Sequence, residues 1–140
     1  MKRFDVQGVE IAAPSPQVHE FVADPRMLPR WAEAFESASD GAVVLRTPQG
    51  RVEVALTTEA SREYGTVDWR ITFPDGSVAR AHSRIVSIDR DRCAFTFVLT
   101  PPPVPLEALE GALEAQSRTL ARELVTLKGL LEARHVPNST

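Results

Sequence analysis

The chain has 140 residues, a formal net charge of −3 at pH 7, and a hydrophobic fraction of 43% beside a charged fraction of 25%. This length and composition are typical of one folded domain with its own core, which we place at residues 1–140. Because the arginines are scattered among aspartates and glutamates, no basic stripe is present, and we expect no nucleic-acid partner.

The sequence shows neither a targeting segment nor a transmembrane helix. The N-terminal stretch "MKRFDVQGVE" has two basic residues but no apolar region followed by a cleavage site. The longest uncharged run, "AFTFVLTPPPVPL", is too short to span a bilayer and ends in prolines. These features predict a cytoplasmic protein without membrane insertion.

Residues 2–12 predict the first strand. Its apolar residues Phe4 and Val6 have the opposite parity to the apolar residues that follow Gly8. A β-bulge at Gly8 would bring both sets to one face, and we therefore predict a bulge there.

Two short helical segments follow this strand. "SPQVHEFVADP" predicts a helix with Ser15 as its N-cap and Pro16 at its first position. Asp24 and Pro25 would end that helix and cap a second single turn, "DPRMLP", which Pro29 would end in turn.

From about residue 33 to residue 100, short strand-type runs alternate with turn sequences such as "PDG" and "DRDR". Connections this short join antiparallel neighbours, which predicts a meander. "TPPPVP" then breaks the sheet, and residues 106 to about 134 carry leucines at spacings of three, four and seven. That pattern predicts one helix about 43 Å long. Its apolar stripe would pack on the concave face of the sheet.

This order of elements resembles a known superfamily. "IAAPSPQVHEFVADPRMLPRWAEAF" is similar to the N-terminal signature of the START-like, or SRPBCC, superfamily, and "GTVDW", "HSRIV" and "ARELVTLKGLLEA" resemble later landmarks of its polyketide cyclase/dehydrase and lipid-transport branch. The resemblance spans nearly the whole chain and consists of patterned positions rather than a catalytic motif. It implies an α+β helix-grip fold. In that fold a curved antiparallel sheet of about six to seven strands wraps around a long C-terminal helix, two short helices follow the first strand, and an apolar cavity lies between sheet and helix.

Two tryptophans are the first candidates for the wall of such a cavity. Trp31 and Trp69 are the largest side chains in a chain that is only 6% aromatic, and Trp69 alternates with Ile71 on the predicted inner face. Residues of this kind form either core or cavity wall, and in a helix-grip fold both are the same surface. The further apolar candidates are Phe35, Phe97 and Leu120.

Gln116 interrupts the leucine stripe of the long helix. In one interpretation it looks into the cavity and offers a donor and an acceptor to a ligand. In the other, the leucine stripe rotates slightly around the helix and Gln116 lies at its solvent-exposed edge. A buried amide without partners would cost about 1–3 kcal/mol.

The stretch "ARAHSRIVSI" at 79–88 places Arg80, His82 and Arg84 on one strand face. A three-residue "PDG" loop before it, a type I turn closed by a glycine bulge, pairs His82 with Asp68 on the outer face. A two-residue turn would instead place His82 inside. We predict the outer position, opposite Asp68.

The next hairpin gives a different indication for Arg84. A four-residue "DRDR" loop would pair Ile88 with Cys93 and turn Arg84 to the same inner face as Phe97. Both hairpins are compatible if the strand bulges between Arg84 and Ile85. Whether Arg84 reaches the cavity is therefore left open.

The sequence carries no metal-ligand spacing among His19, His82 and His135, and no catalytic-serine, phosphate-loop or dinucleotide fingerprint. We expect no metal and no cofactor. The single cysteine, Cys93, opens an apolar strand, which favours a small buried hydrophobe over a reactive thiol.

We therefore predict binding of a hydrophobic or aromatic small molecule, lipid- or polyketide-like, by a monomer or homodimer. The resemblance also implies an alternative, an enzyme of the polyketide cyclase/dehydratase type, in which Arg84, His82 and Gln116 would polarise carbonyls and move protons. The chain shows no evident nucleophile, and no residue is assigned a catalytic role. A third alternative is a protein-interaction module.

Overall fold

A computed structural model describes the backbone of residues 4–39, 41–47, 50–100 and 106–135, and the side chains of these residues except 106–111. The elements in chain order are β1 (Asp5–Ile11), α1 (Ser15–Ala23), a 3₁₀ turn (Pro25–Met27), α2 (Leu28–Trp31), β2 (Phe35–Ser39), β3 (Ala42–Thr47), β4 (Gly50–Ser61), β5 (Thr66–Thr72), β6 (Val78–Asp89), β7 (Arg92–Leu99) and α3 (Leu106–Arg134).

The seven strands form one antiparallel sheet in the order β1-β7-β6-β5-β4-β3-β2. Strands β2 to β7 are a meander, as their short connections predict, and β1 joins beside β7. The buried leucines of α3 pack into the core on one side of the sheet, which we call its inner face. The α+β helix-grip architecture is thus confirmed. Those leucines are Leu120, Leu124, Leu127 and Leu131.

Strand β1 runs without the expected bulge at Gly8, because its pairing with β7 is uninterrupted. The prediction of one apolar face is therefore wrong. Phe4 and Val6 remain exposed, at 55% and 53% of their surface, while Asp5 and Gln7 point to the inner side. Hydrogen bonds made by Gln7 on that side compensate for the burial of polar atoms.

The starts of the short helices differ slightly from expectation. The N-cap of α1 is Pro14 rather than Ser15, which already has helical geometry. Asp24 does cap the 3₁₀ turn, since its carboxylate accepts the Arg26 N–H at 3.0 Å. Pro29 lies in the first turn of α2 instead of ending the turn before it. A proline is tolerated there because first-turn N–H groups have no acceptor within the helix.

The β5–β6 hairpin has the register that its three-residue loop predicts. The Phe73 N–H donates to the Ser77 carbonyl at 2.9 Å, and Gly76 takes a φ of 88°. Asp68 consequently lies opposite His82. The prediction that His82 lies on the outer face is confirmed.

The β6–β7 hairpin differs from its predicted register by one residue. Ser87, not Ile88, pairs with Cys93, and the register shifts between Ser87 and Asp89. The extra residue is thus accommodated at Ile88, and the bulge expected between Arg84 and Ile85 is absent.

The displaced bulge decides which side chains of β6 reach the core. Ile85 lies opposite Phe95, and both are buried. Arg84 stays exposed on the outer face. Burying an isoleucine in place of a guanidinium avoids the cost of desolvating a charge.

Cys93 is fully buried between these strands, and burial raises the pKa of its thiol to about 11. It is the small buried hydrophobe that its sequence position predicts. In the described ranges, no helix has the length and apolar character needed to cross a bilayer.

The approach of Gly65 to β6 gives a test of this packing. Gly65 has a φ of 70°, and a β-carbon there would lie 2.3 Å from the carbonyl oxygen of Ile85. Gly41 has a similar φ of 74° but open space around it. We expect Gly41→Ala to cost about 1 kcal/mol from backbone strain alone. Gly65→Ala should cost at least about 2 kcal/mol more, because backbone must move.

Urea unfolding of both variants measures the difference in free energy of unfolding. Equal losses in the two variants would show that the contact between Gly65 and β6 is not as close as described.

Candidate functional site

The inner face carries four aromatic side chains in mutual contact, which we call the inner aromatic cluster. The rings of Trp31 and Trp69 lie 6.3 Å apart between centroids, and Trp31 meets Phe95 edge-on at the same distance. Trp69 stacks on Phe97 at 5.8 Å. All four side chains are at least nine-tenths buried. The cluster joins α2, β5 and β7 beneath α3.

Small residues on β6 make room for these rings. Trp69 lies opposite Ala81, and Phe97 lies opposite Ser83. Ser83 is buried but satisfied, because its hydroxyl donates to the Val67 carbonyl at 2.7 Å. Large side chains on two strands therefore extend over the small side chains of the strand between them.

The two indole N–H groups of the cluster have no hydrogen-bond partner among the described residues. Nε1 of Trp31 and Nε1 of Trp69 are both inaccessible to solvent. An unpaired buried donor costs about 1–3 kcal/mol, and most buried donors in folded proteins are paired. Two such groups therefore lie in adjacent rings of the cluster.

The other apolar candidates from the sequence also lie at the core. Leu120 is buried in the same hydrophobic core as the two tryptophans, and Phe35 and Ile71 are partly buried against it. Trp31, Phe35, Trp69, Ile71, Phe97 and Leu120 thus share one hydrophobic core.

The polar candidates from the sequence do not reach this core. His82 lies on the outer face with its Nδ1 3.3 Å from Oδ1 of Asp68, and Arg84 lies on the same face. Gln116 is exposed on α3, which agrees with the interpretation that it lies at the solvent-exposed edge of the leucine stripe. The possibility that Arg84 enters the cavity is therefore excluded by the register of β6.

Asp5 and Gln7 are inner-side polar residues that the sequence reasoning missed. Nε2 of Gln7 donates to Asp5 Oδ2 at 2.7 Å and to the Ser117 carbonyl of α3 at 2.8 Å. Gln7 lies opposite Phe97 of the inner aromatic cluster. The sequence did contain a signal for them: in a strand without a bulge, Asp5 and Gln7 point to the same face as Val9 and Ile11.

Glu123 is the second polar group that was missed. Its Oε2 accepts the backbone N–H of Glu33 at 2.6 Å, which ties α3 to the segment after Trp31. Burial raises the pKa of this carboxyl to about 7, against the lowering effect of that hydrogen bond. Its position three residues after Leu120 and four before Leu127 marks it as a neighbour of the buried stripe.

Pockets outlined by the described residues include three of about 460, 120 and 330 Å³. None is lined by Trp31, Phe95 or Phe97, and Trp69 contributes only to the smallest, on the outer side with His82. Across the described part of the chain, no group of three or more His, Cys, Asp or Glu side chains is placed to hold a metal ion.

Solved structures share this architecture. The Zhui aromatase/cyclase from Streptomyces sp. R1128 is similar with a TM-score of 0.75 at 17% identity, over 98% of each chain. A START superfamily protein from Mycobacterium smegmatis is similar with a TM-score of 0.68 at 15% identity, over 96% of this chain and 100% of that one. The chain has the fold of the START-like (SRPBCC) superfamily, as its sequence resemblance implies.

A third similar structure is the di-domain ARO/CYC BexL from the BE-7585A biosynthetic pathway, with a TM-score of 0.68 and 14% identity. The match covers 98% of this chain and 48% of BexL. No protein-family model and no curated protein sequence matches the chain.

The pKa of Glu123 gives a test of the contact between α3 and the segment after Trp31. The ordinary value is 4.5 and the folded value is about 7, so the folded state holds an additional proton between these pH values. The free energy of unfolding should therefore fall as the pH rises through that window. In Glu123→Gln, whose amide oxygen still accepts the Glu33 N–H, this fall should be absent. Above pH 7 the variant should be more stable than wild type by about 1–3 kcal/mol.

Denaturant unfolding between pH 4.5 and 8 measures this dependence. The control is Glu114→Gln, which removes a carboxyl from an exposed position on the same helix. A wild-type profile that matches Glu123→Gln throughout would contradict the buried position of Glu123.

Proposed function

We propose that the chain binds a hydrophobic or aromatic small molecule, lipid- or polyketide-like, between the inner face of the sheet and α3. The observation that carries this proposal is the pair of buried indole N–H groups of Trp31 and Trp69, which have no hydrogen-bond partner among the described residues. A stable core would normally pair such donors or exclude them. A ligand that carries an acceptor would satisfy them.

The cluster also supports a proposal for the chemistry of the ligand. Its rings offer stacked and edge-on aromatic contacts, which favour a planar apolar body. The two donors favour a carbonyl, ether or hydroxyl oxygen on that body. The rings of Trp31 and Trp69 are adjacent, with centroids 6.3 Å apart, so one ligand would contact both.

An enzyme of the polyketide cyclase type is the second candidate. It is favoured by the similarity to the Zhui aromatase/cyclase and to BexL, and by polar groups that adjoin the inner face. Asp5 and Gln7 are held there by hydrogen bonds, and Glu123 has a pKa near 7, which suits proton transfer. These three residues replace His82, Arg84 and Gln116 as candidates for moving protons.

The binding proposal is tested with two probes of the same shape, 2-acetonaphthone and 2-ethylnaphthalene, which differ by one carbonyl oxygen. Wild-type protein should bind the ketone, and its preference for the ketone over the hydrocarbon should fall at least about fivefold in Trp31→Phe/Trp69→Phe. Phenylalanine retains an aromatic ring but has no donor. Isothermal titration calorimetry measures the four dissociation constants.

The control is Phe97→Leu, which alters the inner aromatic cluster without removing a hydrogen-bond donor. It should weaken the binding of both probes by the same factor. An unchanged preference in the double tryptophan variant would contradict a role for the indole donors. A wild-type protein that binds neither probe, and from which native mass spectrometry detects no co-purified ligand, would contradict binding at the inner face.

The enzymatic candidate is tested by incubation with a linear poly-β-ketone thioester and chromatography of the aromatic products. We expect cyclised product from wild type and from His82→Ala/Arg84→Ala, because the latter pair lies outside. Asp5→Asn should lower the rate at least about tenfold, since general acid–base groups contribute that much or more. Absence of turnover in wild type, or unchanged turnover in Asp5→Asn, would count against this candidate.

A further inference from the structure

The largest of the three outlined pockets is a surface groove of about 460 Å³, separate from the inner aromatic cluster. Its walls come from the start of α1, the turn between β4 and β5, and the far end of β6. None of the four cluster residues lines it. A ligand of this groove would therefore be different from the ligand of the inner face.

The groove exists because β6 is longer than β5. Strand β5 begins at Thr66, opposite Arg84, while β6 continues to Asp89. The Ile85 N–H donates to the Gly65 carbonyl at 2.7 Å, and this bond closes the end of β5 against β6. Beyond it, β6 is open on that side and faces the turn and α1.

Two arginine residues line the groove. Arg62 and Arg84 form no ion pair with another described residue, and among the described lining residues Glu63 is the only one with a carboxylate. The lining is thus positive on balance, although the whole chain is negative. Guanidinium groups form strong, often bidentate, hydrogen bonds with carboxylates and phosphates.

A buried histidine adds a directed polar group. His19 is only 6% exposed, and its Nε2 donates to the Thr66 carbonyl at 3.2 Å. The ring is therefore fixed, and its Nδ1 has no hydrogen-bond partner among the described residues. Because Nε2 is committed to this bond, His19 forms a fixed part of the groove wall.

The remaining lining is largely apolar. Its apolar groups include the ring of Pro16 and the side chains of Tyr64 and Val86. Tyr64 is 65% exposed and Val86 is 44% exposed. An exposed tyrosine beside arginines is a common partner for an aromatic or apolar group on a charged ligand.

We propose that this groove is a second binding site, which accepts a small organic anion made of a carboxylate or phosphate joined to an aromatic or apolar group. Arg62 and Arg84 bind the oxyanion, and Tyr64 and Val86 contact the apolar part. The fixed ring of His19 forms the buried wall behind them.

Phenyl phosphate and benzoate serve as probes, each titrated into the full chain and followed by amide chemical shifts and calorimetry. We expect at least one of them to bind and to shift the signals of His19, Tyr64 and Val86. Arg62→Gln/Arg84→Gln should raise its dissociation constant at least about tenfold. The matched control, Arg30→Gln/Arg118→Gln, removes the same charge at exposed positions outside the groove. It should change the dissociation constant of the probe less than about twofold.

Inorganic phosphate and Tyr64→Ala test the apolar half of the site. Inorganic phosphate should bind more weakly than phenyl phosphate, and Tyr64→Ala should weaken the aromatic probes but not inorganic phosphate. The proposal is overturned if neither aromatic anion binds, if both double variants lose affinity equally, or if shifts appear only at the inner aromatic cluster. Because Arg62→Gln/Arg84→Gln leaves Trp31 and Trp69 intact, its binding of 2-acetonaphthone reports separately on the inner face.

Discussion

The fold depends on how large and small side chains are paired across the inner face. Trp69 and Phe97 extend from β5 and β7 over Ala81 and Ser83 of the strand between them, and Trp31 enters from α2 against the same rings. This arrangement buries four of the nine aromatic side chains of the chain in one place. It also brings two indole donors together without described partners, so that the core and the candidate ligand site are one structure.

The parts of the fold that depend on local rules were predictable from the sequence. The "PDG" loop determines the β5–β6 register through turn geometry, and the leucine spacing determines α3. Features that depend on distant partners were not. Gln7 points inward because it bonds to Ser117, 110 residues away, and the bulge at Ile88 is placed where it allows Ile85 to meet Phe95.

The same distinction applies to the candidate site. Its apolar wall followed from alternation and from the helical stripe, since apolar burial leaves a periodic pattern in the sequence. The polar groups at its edge leave a weaker pattern: Glu123 has its altered pKa because it is half-buried beside the backbone of Glu33, which is 90 residues earlier in the chain. Conversely, the conspicuous basic residues of β6 lie outside, because alternation applies to charged residues as strictly as to apolar ones.

The position of β1 beside β7 has a consequence for the order of folding. Strand β1 leaves the ribosome before its strand partner β7 has been synthesised, and α3, which packs against β1, comes later still. Nascent chains must therefore keep the exposed Phe4 and Val6 and the rings of Trp31 and Trp69 from premature association while about two thirds of the sequence is made. Closure by such distant pairing is expected to be slow.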